Sequence, residues 1–330
     1  MSGEAWRFAI GGAVAPGQKT TGFVDWSDPV LMQGGVQWPY TAIHGARPGP
    51  AALVLAGVHG SEYPSIDAAL RLAAETDPGE VRGQILCLPL LNPAAFWDRV
   101  AYMTPADGKN PNRCYPGKPD GTWSDRLAYH VTQRAIARAD CVIDLHGGDL
   151  PEALVPFSIF IESGNAEVDR RSRALAEAFG LEGLMVHRAD RTTIAGTTYA
   201  AAALNGVPAI IAEDGGVGYY DPAIGERMLR GLRNALRQAG VLAGDVEAMP
   251  PPRAYEGFTW LRAKQSGFFR PAVRVGDEVR AGQTLGTVSD LFGRALEEIT
   301  TPDTGRVLFI VVSPAIAADG LICGVGVDPS

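Results

Sequence analysis

Residues 51–62 read Ala51-Ala52-Leu53-Val54-Leu55-Ala56-Gly57-Val58-His59-Gly60-Ser61-Glu62. Six apolar residues closed by a glycine have the pattern of a strand buried on both faces. The stretch that follows, Ser65–Glu75, carries Ile66, Leu70 and Ala73 at helical spacing. The same alternation recurs along the chain. Short runs rich in Val, Ile or Leu lie at Gln84–Leu90, Cys141–Leu145, Ser158–Ile161 and Val207–Ala212. Helical patterns fall at Ser124–Arg138, Glu167–Phe179 and Ile224–Ala239, the last stopped by Gly240. Strands that alternate with helices need crossover connections, which predicts an α/β fold with a mostly parallel or mixed sheet flanked by helices. In such sheets ligand sites gather beyond the carboxyl ends of the strands.

The residues with chemistry follow that rule. His59 comes after the run Ala51–Ala56, His146 after Cys141–Leu145, and Glu213 after Val207–Ala212. Gly57 and Gly60 flank His59 and let the backbone bend sharply there. Glu62, three residues on, falls at the first turn of the predicted helix. Two imidazoles and one carboxylate form a protein ligand set for catalytic zinc, with a fourth position left to water. His59, Glu62 and His146 are therefore predicted to hold one zinc ion per chain, and Glu213 to supply the base. Asp144 and His146 are two apart on a strand and project to the same face. Asp144 is predicted to orient His59 or His146 and fix its tautomer. His44, His130 and His187 have no partner at ligand spacing; His130 is read as a helix-surface residue and the other two as structural. The chemistry expected is that of a metal-dependent hydrolase.

The bulk properties set the limits. The chain has 330 residues, 46% hydrophobic and 20% charged, with a formal net charge of −8. The length suits two domains, and the charge argues against a general nucleic-acid surface. No run approaches a membrane span, and the N-terminus lacks a basic segment followed by an apolar one, so a cytoplasmic protein is expected. Cys87, Cys114, Cys141 and Cys323 form no C-x-x-C pair, which fits a reducing compartment. Met249-Pro250-Pro251-Pro252-Arg253 reads as a semi-rigid linker. Beyond it, short strands and glycine turns predict a small all-β domain. The expected division is a catalytic domain over 1–245, with 1–45 as an N-terminal extension, and a β-barrel domain over 246–330. Val275–Leu285 resembles the biotinyl/lipoyl-type barrel-sandwich repeat, but Leu291–Pro302, the stretch that would present a modified lysine, contains none.

Five motifs in order resemble those of the succinylglutamate desuccinylase/aspartoacylase family, relatives of the zinc carboxypeptidases. They are Gly57–Glu62, Asn92-Pro93-Ala94-Ala95-Phe96 followed by Arg99, Asn112-Arg113-Cys114-Tyr115-Pro116-Gly117, Asp144-Leu145-His146, and Glu213 before Gly215. The length and motif layout look like the bacterial branch that includes N-acetyl-diaminobutyrate deacetylases, and the C-terminal segment resembles the small barrel that follows the catalytic domain in this family. The resemblance implies that His59, Glu62 and His146 hold zinc and that Glu213 acts as general base and then general acid. It also implies that Arg99 stabilises the tetrahedral oxyanion and that Asn112 and Arg113 grip a substrate carboxylate. The planar fork of Arg113 suits that task; for Arg99 a salt bridge to Asp98 or Asp107 is the alternative. The activity implied is hydrolysis of a small N-acyl amino acid to a carboxylate and a free amine, with no nucleic-acid or membrane partner and a homo-oligomer left open. A carboxypeptidase-like peptidase or esterase, and a non-catalytic metal-binding or carrier module, are the competing readings. The loops Tyr102–Gly121 and Asp190–Thr198, and Tyr219 and Tyr220, lie where they could touch substrate but read more as scaffold.

Overall fold

The computed structural model describes residues 5–188 and 195–329. In chain order, the first part contains β1 (Gln18–Phe23), β2 (Pro39–His44), β3 (Arg47–Ala56), α1 (Tyr63–Glu75), β4 (Arg82–Leu88), α2 (Pro93–Asp98), α3 (Trp123–Arg134) and β5 (Cys141–His146). It continues with β6 (Glu152–Leu154), β7 (Phe157–Glu162), α4 (Ala166–Phe179), β8 (Gly183–Arg188), α5 (Thr198–Leu204), β9 (Ala209–Glu213), α6 (Pro222–Gln238) and β10 (Arg253–Tyr255). The large sheet has the order β1-β2-β4-β3-β5-β9-β7-β8-β10. Its centre, β4-β3-β5-β9, is parallel; β7 then runs antiparallel to β9, and β8 and β10 continue parallel to β7. The five apolar runs of the sequence are all strands of this mixed sheet.

The period of two along β3 explains why those runs are apolar throughout. Ala52, Val54 and Ala56 face one layer with Ala68 and Leu72 of α1, Leu175 and Phe179 of α4, and Met228 and Leu232 of α6. Ala51, Leu53 and Leu55 face the other with Trp26, Trp38, Trp123, Leu127 and Val131. A strand covered on both sides has no solvent face to mark with polar residues. The segment read as an N-terminal extension instead supplies β1 and β2. They form an antiparallel edge on β4, and the polar Gln-Lys-Thr-Thr of β1 reflects its exposed faces.

The remainder folds as two small antiparallel sheets. β11 (Gly257–Arg262), β12 (Gly267–Pro271), β13 (Glu278–Val279), β14 (Thr284–Ser289), β15 (Ala295–Thr300), β16 (Gly305–Val311), β17 (Ala315–Ile316) and β18 (Leu321–Val327) pair as β11-β18-β16-β13 and β15-β14-β12-β17. They enclose Phe269, Leu285, Val288, Val307, Ile322 and Val325. The two parts exchange strands. β10 adds to the edge of the large sheet beside β8, and β6 pairs with β16 through Leu154↔Phe309 and Glu152↔Val311. All four cysteines are unpaired. Among the described residues no helix is long and apolar enough to cross a membrane.

Candidate active site

The carboxyl ends of β3, β5 and β9 converge. Gly57 takes a positive φ of 63° at the end of β3. At Gly60 a Cβ would lie 2.2 Å from the Phe96 amide nitrogen, so the turn carrying His59 packs directly on the backbone of α2. Glu62 is the N-cap residue of α1, with Pro64 in the first turn. His146 closes β5 and stands opposite Glu213 of β9 in register.

His59, Glu62 and His146 are buried, with ligand atoms all within 4.8 Å of one another. His59 Nδ1 is 2.7 Å from Glu62 Oε1 and His146 Nδ1 is 3.0 Å from Glu62 Oε2. The outer nitrogens have acceptors of their own. His59 Nε2 is 3.1 Å from Asn110 Oδ1, and His146 Nε2 is 3.0 Å from Asp144 Oδ2. Asn110 Oδ1 also accepts from the Asn112 amide at 2.8 Å, which fixes that end of the Asn110 side chain as oxygen. A neutral imidazole has one proton, and acceptors at Nε2 place it there. Each Nδ1 then turns a lone pair toward the same carboxylate. Glu62 Oε2 is buried with no aligned hydrogen-bond donor. Two lone pairs and a carboxylate around one point repel unless a cation, or a proton on each ring, stands among them. The donor set fits a divalent cation, with two imidazoles and one carboxylate, each imidazole backed by an oxygen acceptor.

Without a cation, protons on the two rings take its place. Burial opposes charge on both imidazoles, but Asp144 and Glu62 overcome it and hold His146 well above the usual histidine range; Glu62 does the same, less strongly, for His59. Burial likewise works to raise Glu62, and the two imidazoles keep it low. Glu213 is pushed up to about 8 by burial. Asp144, wholly buried, also accepts from the Thr198 hydroxyl.

A cavity of about 460 Å³ opens from the triad, and Glu213, Arg113 and Glu152 line it. Asn112 also lines it, but its amide oxygen accepts from the Thr198 amide at 3.0 Å and its nitrogen lies 3.4 Å from His146 Nε2. Its amide oxygen is therefore taken up by Thr198. Arg113 donates to the Asn112 carbonyl at 2.6 Å and keeps a face open to the cavity. Arg99 is placed elsewhere. It is exposed, in the left-handed region (φ 54°) at the end of α2, and outside the cavity lining. It makes no ion pair among the described residues, while Asp107 caps α3 through Thr122 and Ser124. Tyr219 and Tyr220 are exposed and line no part of the cavity. His187, read from sequence as structural, lines it and contacts the Tyr199 hydroxyl at 2.7 Å. Of the loop Asp190–Thr198, residues 190–194 lie outside the described residues; Thr197 is in the cavity wall.

Comparison with known proteins places this geometry. The profile of the succinylglutamate desuccinylase/aspartoacylase catalytic domain matches residues 48–239. The chain belongs to the succinylglutamate desuccinylase/aspartoacylase family. It is 30% identical over 264 residues to the N-alpha-acetyl-L-2,4-diaminobutyric acid deacetylase of Halomonas elongata, covering 78% of this chain and 75% of the relative. A succinylglutamate desuccinylase/aspartoacylase structure from Rhodobacter sphaeroides superposes with a TM-score of 0.82 at 26% identity, over 98% of this chain and 100% of the other. The product-bound ectoine utilization protein EutE (DoeB) from Ruegeria pomeroyi gives 0.86 at 25% identity, over 97% and 99%. As a member of this desuccinylase/aspartoacylase family, the chain is placed among deacylating hydrolases.

Other residues of this family member's site were not singled out by sequence reasoning. Tyr102, a non-glycine residue at φ 55°, packs edge-on to His59 with ring centroids 6.3 Å apart. Asn110 and Thr198 support the histidines and Asp144, while Phe258, Trp260, Arg262 and Phe309 bring the C-terminal sheets into the cavity wall. The one sequence signal for that wall is the alternation Phe258, Trp260 along β11, which puts two large aromatics on one face of a strand in a small domain.

Two predictions arise here. Asp144→Asn weakens metal affinity about 10- to 100-fold, the usual effect of losing the carboxylate behind a ligating imidazole. Competition with a chelator measures it, and unchanged affinity contradicts the role of Asp144. The second concerns stability without metal. Glu152 is pushed up to about 7 by burial, above an unfolded value of about 4.3. The folded state therefore holds a proton that the unfolded state releases. The stabilisation is complete below about pH 4 and is lost as pH rises through about 7, a change on the order of 4 kcal/mol at most. Glu213 and the raised histidines act with the same sign. The melting temperature of the chelator-treated protein is expected to fall between pH 5 and 8, and less steeply in Glu152→Gln.

Proposed function

We propose that this protein is a zinc-dependent amidohydrolase that deacylates a small N-acyl amino acid, releasing a carboxylate and a free amine. The observation that carries the reading is the His59–Glu62–His146 cluster with Glu213 opposite His146 in register, all lining one cavity. A zinc ion held by those three residues would polarise the amide carbonyl and make hydroxide available at neutral pH. Glu213 accepts a proton at its carboxylate and returns it to the departing nitrogen, since an amide nitrogen leaves well only as a neutral amine. Arg113 meets the carboxylate of the amino acid with its planar fork. Asn112 accepts from the Thr198 amide beside it. Arg99 has no part in this scheme, because it lies outside the cavity.

A cavity of this size suits a small molecule. The Halomonas elongata relative is named as a deacetylase, so acetyl is the first acyl group to try. The test is elemental analysis of purified protein followed by side-by-side assays of N-acetyl amino acids, dipeptides and small esters on the same preparation. One zinc per chain and fastest turnover of an N-acetyl amino acid are expected. Faster dipeptide cleavage would reject deacylation in favour of peptidase action.

A further inference from the structure

With Arg99 outside the cavity, the scheme lacks one part. As water adds to an amide carbonyl, negative charge gathers on the carbonyl oxygen, and a fixed hydrogen-bond donor aimed at that oxygen is among the largest contributions a protein makes to the rate. Arg113 is engaged by the substrate carboxylate, and Asn110 meets His59 through its oxygen. A donor of the right kind stands beside the triad at Tyr102, which lines the cavity and packs edge-on to His59 with ring centroids 6.3 Å apart. A phenol, with an ordinary pKa of about 10, is a neutral donor at neutral pH.

The placement of Tyr102 is imposed by its surroundings. Its φ of 55° lies in a region that bulky residues rarely adopt. Its amide donates to Asp149 Oδ2 at 2.5 Å, and Asp149 Oδ1 accepts from the hydroxyl of Ser61, in the same turn as His59. One buried carboxylate thus ties Tyr102 to the segment that carries a triad histidine. Such backbone conformations persist only where the structure around them enforces them, and they gather at functional sites.

The resting partner of the hydroxyl makes the donor selective. It lies in hydrogen-bonding reach of the Glu152 carboxyl, which also lines the cavity. Glu152 is itself fixed, by the pairing of β6 with β16 and by the Val217 amide, which donates to its carbonyl at 2.8 Å. A phenol has one proton to donate. A neutral amide oxygen competes poorly with a carboxyl group for it, whereas an oxyanion, far more basic than either, competes well. Rotation about the phenol C–O bond then brings the proton to the substrate as the charge develops. An interaction made in the transition state and not in the ground state raises kcat and leaves KM nearly unchanged.

We propose that Tyr102 is a catalytic residue whose hydroxyl donates to the charged oxygen of the tetrahedral transition state, the role that the family resemblance gives to Arg99. The proposal rests on the deacylase reading above. No bond to Tyr102 forms or breaks; the phenol keeps its proton and turns back to Glu152 when the carbonyl double bond re-forms.

The test is Tyr102→Phe, which keeps the ring against His59 and removes the hydroxyl. With the N-acetyl amino acid that wild type cleaves fastest, kcat is expected to fall about 100-fold or more, with KM little changed and metal content per folded chain unchanged. The second readout is inhibition by the methylphosphonamidate of the same amino acid, whose tetrahedral phosphorus carries charged oxygens where the oxyanion forms. The variant is expected to bind it about 100-fold more weakly, while its affinity for the product amino acid matches wild type. Undiminished kcat in Tyr102→Phe overturns the proposal. So does a slowed variant that binds the phosphonamidate as tightly as wild type, because the lost hydroxyl then does not meet the charged oxygen. Equal weakening of phosphonamidate and product overturns it too, since a merely structural role predicts that result. Failure of wild type to cleave any N-acetyl amino acid instead overturns the deacylase reading on which the proposal stands.

Discussion

Glu213→Ala is expected to retain a full equivalent of metal and to lose about 100- to 10,000-fold in kcat, with a much smaller change in KM. Glu213 is opposite His146 across the β5–β9 pair but is not among the three groups whose donor atoms converge. Removing it leaves the cation's site intact and takes away the proton carrier. The pH profile carries the same signature. In the cation-free cluster burial pushes Glu213 up to about 8; a cation at the triad favours the carboxylate and brings it down. Since only the ionised form accepts a proton, kcat/KM rises with pH along a limb centred below 8, and Glu213→Gln abolishes that limb. A fully active Glu213→Ala enzyme would show that the base lies elsewhere.

The second large effect is expected at His146. His146→Ala removes one of three protein donors, and its metal affinity falls by well over the 10- to 100-fold that loss of an outer partner costs. Activity falls with it. The same change strips Asp144, fully buried, of its imidazole, leaving the Thr198 hydroxyl as its side-chain partner. Breaking a buried charge pair in this way costs about 3–5 kcal/mol, so the variant is also expected to melt at lower temperature. Metal content per folded chain, measured by elemental analysis after size-exclusion, separates the two consequences. Stoichiometric zinc in the purified variant would remove His146 from the ligand set.

How much of this could be read beforehand depended on what kind of signal each residue leaves. The central strands were legible because both faces are covered; Ala51–Ala56 and Cys141–Leu145 have no option but to be apolar. β1 left no such trace, since an exposed edge strand tolerates Gln, Lys and Thr, and β6 is only three residues long. β8 was missed because its apolar core, Leu184–Val186, is shorter than the runs that mark a strand. His59, Glu62, His146 and Glu213 were legible because each ends a readable strand or starts a readable helix, and the sheet's geometry brings those points together.

Arg99 shows the limit of motif position. It follows a readable motif, but the chain leaves α2 through a left-handed residue at Arg99 itself, and its side chain ends up in solvent. Asn112 lines the cavity, but what its amide meets was not legible. Its amide is occupied by Thr198, a partner 86 positions away that no local pattern announces. Glu152 was invisible for a related reason. A lone Glu in Leu150-Pro151-Glu152-Ala153 reads as a turn charge, and only the pairing of β6 with β16 turns it into the wall of a cavity. The aromatic face of β11 is the same case, in that it gains meaning from the docking of the C-terminal sheets against the large one.

X-ray absorption spectroscopy of the purified, metal-loaded protein tests the central claim most directly. The account predicts about one zinc per chain, bound by two imidazole nitrogens and a carboxylate from the protein plus a non-protein oxygen, at distances of about 2.0–2.2 Å. A fourth protein ligand in place of that oxygen, or a chain that takes up no stoichiometric divalent metal, would contradict it.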